Sequence, residues 1–308
     1  MAADCWTADR IPNLNGRTFV VTGASSGLGL VTTRALVAHG AHVVLAVRDE
    51  EKGRAAATSL AGAHGAGWEV RRLDLADLDS VRDFADRMHA SHDRVDVLVN
   101  NAGTMATPYT RTPQGLELQF ATNHLGHFAL TGLLLDLLLA GRDPRVVTVT
   151  SVNHRRARPP SNTARRYSPM GVYNSSKLAN AIFGWELHRR LRDADSPVRS
   201  ILAHPGYTAT NLQFGATTAG WRFLLGRLGN PLLAQPADRG VLPQLFAATD
   251  PDARSGQLIV PDGPGELRGH PVTGELSPAA TDPENGRSLW ELSEQATGVR
   301  FPTLRPSR

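Results

Sequence analysis

The stretch Thr18-Phe19-Val20-Val21-Thr22-Gly23-Ala24-Ser25-Ser26-Gly27-Leu28-Gly29 decides the fold. Thr18–Thr22 is a short, nearly continuous apolar run, the pattern of a strand buried on both faces. Three glycines follow, Gly23, Gly27 and Gly29, and a helix is predicted from about Gly27 to His39. A glycine-rich turn between strand and helix lets the backbone approach a pyrophosphate closely. The helix N-terminus then offers free N–H groups and the positive end of its dipole. The spacing is not G-x-G-x-x-G, so the turn's place directly after the first strand carries the dinucleotide reading.

The alternation continues along the chain. Further strands are predicted at 41–47, 68–73, 95–99, 145–150 and 198–203, with 257–260 as a seventh. Helical stretches lie between them, at 50–60, 78–88, 115–139 and 171–192. Apolar strands alternating with helices predict an α/β protein, a single doubly wound Rossmann domain with a parallel sheet of about seven strands. No linker or repeat divides it. Residues 1–16 read as a polar leader and 17–308 as one domain. Within that domain 153–170 is a loop inserted between the fifth strand and its helix. Residues 207–235, with Trp221, Phe223, Leu224 and Leu225, read as a substrate lid or a core helix. Residues 261–308 form a C-terminal extension, irregular at 261–287 and helical from 284 to 297.

The bulk composition narrows the class. The chain has 308 residues, 41% hydrophobic and 20% charged, enough for a sizeable core. No uncharged apolar run reaches the roughly 18 residues of a membrane-crossing helix, and the N-terminus lacks the pattern of a secretory signal. Contact of the 207–235 region with a membrane surface stays open beside the lid reading. Cys5 is the only cysteine, which rules out an internal disulfide and agrees with a cytoplasmic location. Net charge is +4 and the pI about 9.7, but the basic residues are dispersed, so no nucleic-acid partner is expected. The one dense group, Arg155, Arg156, Arg158, Arg165 and Arg166, reads as a solvated loop or as a basic rim drawing an anion towards a pocket.

The second strand ends Leu45-Ala46-Val47-Arg48-Asp49. In dinucleotide-binding units an acidic residue about 20 positions beyond the glycines grips the ribose 2′-hydroxyl, whereas arginine accommodates a 2′-phosphate. Val47 occupies the acidic slot and Arg48 follows, which favours NADP(H). A register shifted by two would put Asp49 there and keep NAD(H) open.

Only two lysines occur, Lys52 and Lys177, against 31 arginines. Lys177 lies four residues after Tyr173, and residues at that spacing share a helix face with Cβ atoms about 5–6 Å apart. Lysine is a compact cation whose proton affinity can be tuned, and arginine is not. A free tyrosine, pKa about 10, is a poor acid or base at neutral pH. An ammonium beside it favours the phenolate, so the pair reads as a tuned proton donor. His124 and His127 lack a carboxylate or cysteine partner nearby in sequence, and no metal site is expected.

Taken together these motifs resemble the short-chain dehydrogenase/reductase superfamily, and within it the retinol-dehydrogenase-like and protochlorophyllide-reductase-like branch. The motifs are TGASSGLG at 22–29, Asp74-Leu75, NNAG at 100–103, Ser151 and YNSSK at 173–177. FATNHLGHFALT at 120–131, YNSSKLAN at 173–180 and HPG at 204–206 are typical of that branch. The resemblance covers about residues 14–260. It implies Tyr173 as general acid/base, Lys177 as the residue that lowers the tyrosine pKa and binds the nicotinamide ribose, Ser151 as donor to the substrate oxygen, and Asn123 as support for a water relay. It implies Gly23, Ser25, Ser26, Gly27, Leu28 and Gly29 at the pyrophosphate, and Asp74 and Leu75 at the adenine. Asn100, Ala102 and Gly103 would line the cofactor groove. Pro205, Gly206, Thr208 and Thr210 would grip the nicotinamide end. The gap from Ser151 to Tyr173 is longer than in many relatives because of the inserted loop.

The expected function is thus an NADP(H)-preferring oxidoreductase interconverting a ketone or aldehyde and its alcohol, on a lipophilic small molecule such as a retinoid, steroid or polyketide-like compound. Reduction of a carbon–carbon double bond on the same scaffold is the second enzymatic reading. A cofactor-binding sensor or scaffold without turnover is the third. The resemblance also implies a homodimer or homotetramer paired through long helices.

Overall fold

The computed structural model describes residues 5–60, 67–159, 167–208 and 235–302. One sheet organises them. Its strands are β1 Thr18–Thr22, β2 His42–Val47, β3 Trp68–Arg72, β4 Val97–Asn100, β5 Arg145–Val149, β6 Arg199–Ala203, β7 Leu258–Pro261 and β8 Pro271–Gly274. The order across the sheet is β3-β2-β1-β4-β5-β6-β7-β8. All neighbours pair in parallel except β8, which runs antiparallel to β7. The chain reverses its direction of travel across the sheet between β1 and β4. At such a switch point the loops leaving the two strands part and open a crevice at the strands' C-terminal ends.

Side-chain alternation along β1 builds both layers of the core. Phe19 and Val21 join Val43, Leu45, Val97 and Val99 on one face, beneath Leu36 and Val37 of α1 (Gly27–Ala38). Val20 joins Val44, Leu98 and Val146 on the other, against Val81 and Phe84 of helix Leu78–Ser91 and Phe183 and Leu187 of helix Pro169–Asp193. The last helix is fixed at its start by Ser168, whose Oγ accepts from Gly171 N at 3.2 Å, with Pro169 in the first turn. Its second and third turns hold Tyr173 and Lys177.

Three expectations change. The seven expected parallel strands are all present, and an eighth pairs antiparallel at the edge. The added strand β8 lies in the Pro/Gly-rich stretch expected to be irregular, and as an edge strand it tolerates Pro271 at its start. Residues 115–139 do not form one helix. A short helical turn at Leu118–Phe120 passes into a π-helical turn, Ala121–Leu125, and then into helix Gly126–Leu133. Gly126 packs so tightly on Leu75 that a Cβ there would collide with the Leu75 carbonyl oxygen. Finally, the polar leader contributes to the core. Trp6, Ile11 and Leu14 are buried, and Trp6 Nε1 donates to Asp250 Oδ2 at 2.6 Å. Most of 207–235 and residues 160–166 of the insert lie outside the described residues. No helix among the described residues is long and apolar enough to cross a membrane.

Candidate active site

The crevice at the switch point is a cavity of about 310 Å³ whose floor is the glycine turn. Gly23 and Gly27 have φ of +68° and +54°, the left-handed region that favours glycine. A Cβ on Gly29 would collide with the Gly23 carbonyl oxygen, so the helix starts directly against the turn. Ser26 is the N-cap of α1, yet its side chain makes no cap hydrogen bond. The helices behind β2 and β3, Glu50–Ala57 and Leu78–Ser91, are by contrast capped by Asp49 and Asp77. The first-turn N–H groups of α1 are therefore left for an anion, which fits a pyrophosphate.

A buried hydroxyl ties this turn to the loop after β4. Thr22 Oγ1 accepts from Asn101 N and Ala102 N, each at 2.9 Å, while Asn101 Nδ2 donates to Thr22 O at 2.7 Å. Thr22 also meets His127 Nε2 at 2.9 Å, and His127 Nδ1 meets the Asn123 carbonyl at 3.0 Å. A carbonyl only accepts, so Nδ1 carries the proton and Nε2 accepts from Thr22. Burial pushes the His127 pKa down to about 4, keeping the ring neutral in this chain of contacts. In this tautomer both ring nitrogens of His127 are engaged within the protein.

At the adenosine end, Arg48, Asp74 and Leu75 line the cavity. Val47 is the last residue of β2 and is buried. Asp49 is committed elsewhere: its carboxylate caps helix Glu50–Ala57 by accepting from Lys52 N at 3.1 Å and pairs with Lys52 Nζ at 3.3 Å. That capping bond is the main reason its pKa is lowered. Arg48 is thus the charged side chain of this strand end that faces the cavity.

At the opposite end Ser151, Tyr173 and Lys177 line the same cavity. Tyr173 and Lys177 are both almost wholly buried, with Lys177 Nζ 6.0 Å from the centroid of the Tyr173 ring. Lys177 Nζ donates to Val149 O at 3.2 Å, and Thr150 Oγ1 donates to Lys177 O at 2.7 Å. Burial pushes the Tyr173 phenol up to about 12, while a hydrogen bond with Ser151 pulls the other way. Burial also pushes Lys177 down to about 8. The expected lowering of the tyrosine pKa by lysine is not what this environment produces. Burial of the phenol sets the direction, because it penalises the charged phenolate, and the bond with Ser151 only partly offsets it. At neutral pH the phenol holds its proton and stands as a donor.

Asn123 sits behind this group in the π-helical turn. Its Oδ1 accepts from Thr104 N at 2.7 Å; its Nδ2 donates to Thr104 O at 2.9 Å and to Ser176 Oγ at 2.9 Å. Both side-chain N–H groups and one lone pair of Oδ1 fix the loop after Gly103 to the tyrosine helix. Single π turns inside helices commonly mark functional sites.

Pro205, Gly206 and Thr208 close the nicotinamide end of the cavity. Gly206 has φ +70°, and Pro205 O is held by Thr208 Oγ1 at 2.9 Å and Gln235 Nε2 at 3.0 Å. Thr210 lies outside the described residues. Asn100 does not reach the cavity: it is buried in β4 and donates through Nδ2 to Thr131 Oγ1 at 3.0 Å, and its neighbour Asn101 lines the groove instead. His204 lines the cavity without having been singled out as a site residue. It is nearly buried, burial pushes its pKa down to about 3, and its Nδ1 accepts from Gly206 N at 3.3 Å. Its position next to Pro205-Gly206 was the available signal.

This arrangement defines a nicotinamide-dinucleotide oxidoreductase: an anion cradle at a Rossmann switch point, with a protonated phenol at the far end of the groove. The chain belongs to the short-chain dehydrogenase family, whose model matches residues 17–218. It is similar to human retinol dehydrogenase 13, with 36% identity over 94% of this chain and 87% of that protein. A crystal structure of a protein from Mycobacterium paratuberculosis shares 44% identity and a TM-score of 0.80, covering 97% of this chain and 99% of that one. A short chain dehydrogenase from Shigella flexneri, solved in complex with NADP, shares 25% identity and a TM-score of 0.64, covering 81% of this chain and 98% of that one. The protein is accordingly an NAD(P)-dependent short-chain dehydrogenase/reductase.

Proposed function

We propose that the protein prefers NADP(H) and reduces the carbonyl of a lipophilic aldehyde or ketone to the alcohol, with the reverse reaction on the same site. The observation that carries this reading is the buried, protonated Tyr173 beside Ser151 at the end of a groove built for a dinucleotide. Bound nicotinamide supplies the hydride. The protein's own part is to meet the charge that gathers on the substrate oxygen. Ser151 and Tyr173 aim two donors at one place, where preorganised donors are most effective. Tyr173 then releases its proton to that oxygen. Lys177, held by Val149 O, stands where it can bind the ribose hydroxyls and offset the charge left on the phenol. Asn123 keeps the Thr104 loop against the tyrosine helix so that the two walls hold their spacing.

Preference for NADP(H) rests on Arg48 in the cavity wall and on Asp49 being spent as a helix cap. The lipophilic substrate class is supported by the resemblance to a retinol dehydrogenase. The test is a panel of lipophilic aldehydes and ketones with NADPH, monitored by cofactor oxidation. Tyr173→Phe is expected to lower turnover at least about 100-fold, the usual size of acid–base catalysis, with NADPH binding nearly unchanged. A variant that turns over at the wild-type rate removes Tyr173 from the reaction.

A further inference from the structure

At the sheet edge farthest from β8, three side chains converge without any part in the cofactor groove. His42 opens β2, Glu69 is the second residue of the edge strand β3, and His92 follows directly after helix Leu78–Ser91. We propose that His42, Glu69 and His92 bind one divalent transition-metal ion of the zinc type, with water completing the coordination.

The geometry is close to that of a loaded site. One nitrogen or oxygen from each residue lies within 4.8 Å of the other two. His92 Nε2 is 3.2 Å from Glu69 Oε1, and His42 Nε2 is 3.7 Å from the same oxygen. Tetrahedral zinc, with bonds of about 2.0–2.1 Å, sets its ligands about 3.3 Å apart. The first separation already fits, the second needs a shift of a few tenths of an ångström, and the two imidazoles, within 4.8 Å of each other, close the rest by rotation of the partly exposed His42 ring. A Cβ at Gly67 would strike the His42 ring, so glycine there leaves the room this position needs.

The hydrogen bonds around the trio point its lone pairs inward. Glu69 Oε2 is held by Arg71 at 2.9 Å, which leaves Oε1 facing the two rings, buried and without a hydrogen-bond partner. Ser91 Oγ accepts from Arg71 at 2.7 Å and donates to Arg87 O at 2.8 Å. Its remaining lone pair lies 2.9 Å from His92 Nδ1, which therefore carries the ring's proton. The Nε2 of a neutral His92 then presents a bare lone pair to a carboxylate. Two unshared pairs face to face repel each other unless a cation lies between them. A hydrogen bond that fixes the tautomer of a ligating histidine is the usual support of a metal site. Two imidazoles and a carboxylate suit zinc, cobalt or nickel better than magnesium or calcium. Arg71 opposes a cation, so the affinity falls below that of a closed four-ligand structural site. The bound ion would join β2, the edge strand and the end of the helix behind it.

The test uses the full-length chain without an affinity tag. Titration with Zn²⁺ is expected to show one bound ion, and a hundredfold excess over Kd to raise Tm by roughly 5 °C. Mg²⁺ is expected to leave Tm unchanged. His92→Gln and His42→Gln should each abolish the Zn²⁺ response, while Tm in chelator and NADPH affinity stay at wild-type values. Wild-type protein loaded with Co²⁺ provides a reading that needs no variant: a visible ligand-field band is expected at one equivalent. The proposal is overturned by a Zn²⁺ response that survives both substitutions, or by wild-type protein that binds neither ion stoichiometrically.

Discussion

Lys177→Met isolates the energetic cost of the site. Burial brings the Lys177 ammonium from 10.5 to about 8. At about 1.36 kcal/mol per pKa unit, holding that charge at pH 7 costs the fold about 3 kcal/mol. Methionine fills the same space without charge. The hydrogen bond it removes is worth about 1 kcal/mol, and Val149 O keeps a donor in Asn180 Nδ2 at 3.1 Å. The variant should therefore be more stable by about 2 kcal/mol at pH 7, while carbonyl turnover is lost and NADPH binds more weakly. Between pH 8 and 10.5 the unfolded chain holds this lysine proton and the folded chain has released it. Wild-type stability, taken relative to the variant, therefore rises with pH through that window. Urea unfolding followed by tryptophan fluorescence at pH 7, 8, 9 and 10 measures the difference. A variant less stable than wild type at pH 7, or a difference independent of pH, would refute the reasoning.

Two further substitutions probe the groove. Arg48→Ala is expected to weaken NADPH binding at least tenfold and NADH binding little, measured by fluorescence titration; equal losses would remove the 2′-phosphate argument. Thr22→Val takes the acceptor from Asn101 N and Ala102 N and the donor from His127 Nε2. Asn101 N keeps Val99 O at 3.0 Å, so Ala102 N and His127 Nε2 are the two buried groups left unpaired; at about 1–3 kcal/mol each, the variant should cost about 2–6 kcal/mol in urea unfolding. A cost under about 0.5 kcal/mol would show that the hydroxyl does not organise the loop.

Features set by local pattern were legible in the sequence, and those set by packing were not. The β1 strand, its glycine turn and α1 are contiguous, so their chemistry could be read from one stretch. Tyr173 and Lys177 share a helix face by spacing alone. Their proton affinities depend on how dry the pocket is, which no spacing reveals, and the expected lowering of the tyrosine pKa gave way to burial. In Asn100-Asn101 the motif could not say which asparagine turns towards the groove, because the strand ends between them. Strand β8 is four residues long and bounded by Pro271 and Gly274, too short for its alternation to show. The π turn Ala121–Leu125 interrupts a stretch whose periodicity reads as plain helix, and Gly126 directly after it packs on the Leu75 backbone, a contact between distant segments. Trp6 gains its place through Asp250, 244 residues away.

The most direct test of the central claim is the product formed from a conjugated lipophilic aldehyde and NADPH. Proton delivery from Tyr173 to the substrate oxygen predicts the allylic alcohol, with the double bond intact, and almost none of it from Tyr173→Phe. A saturated aldehyde, or the same alcohol at the same rate from the phenylalanine variant, would contradict the account.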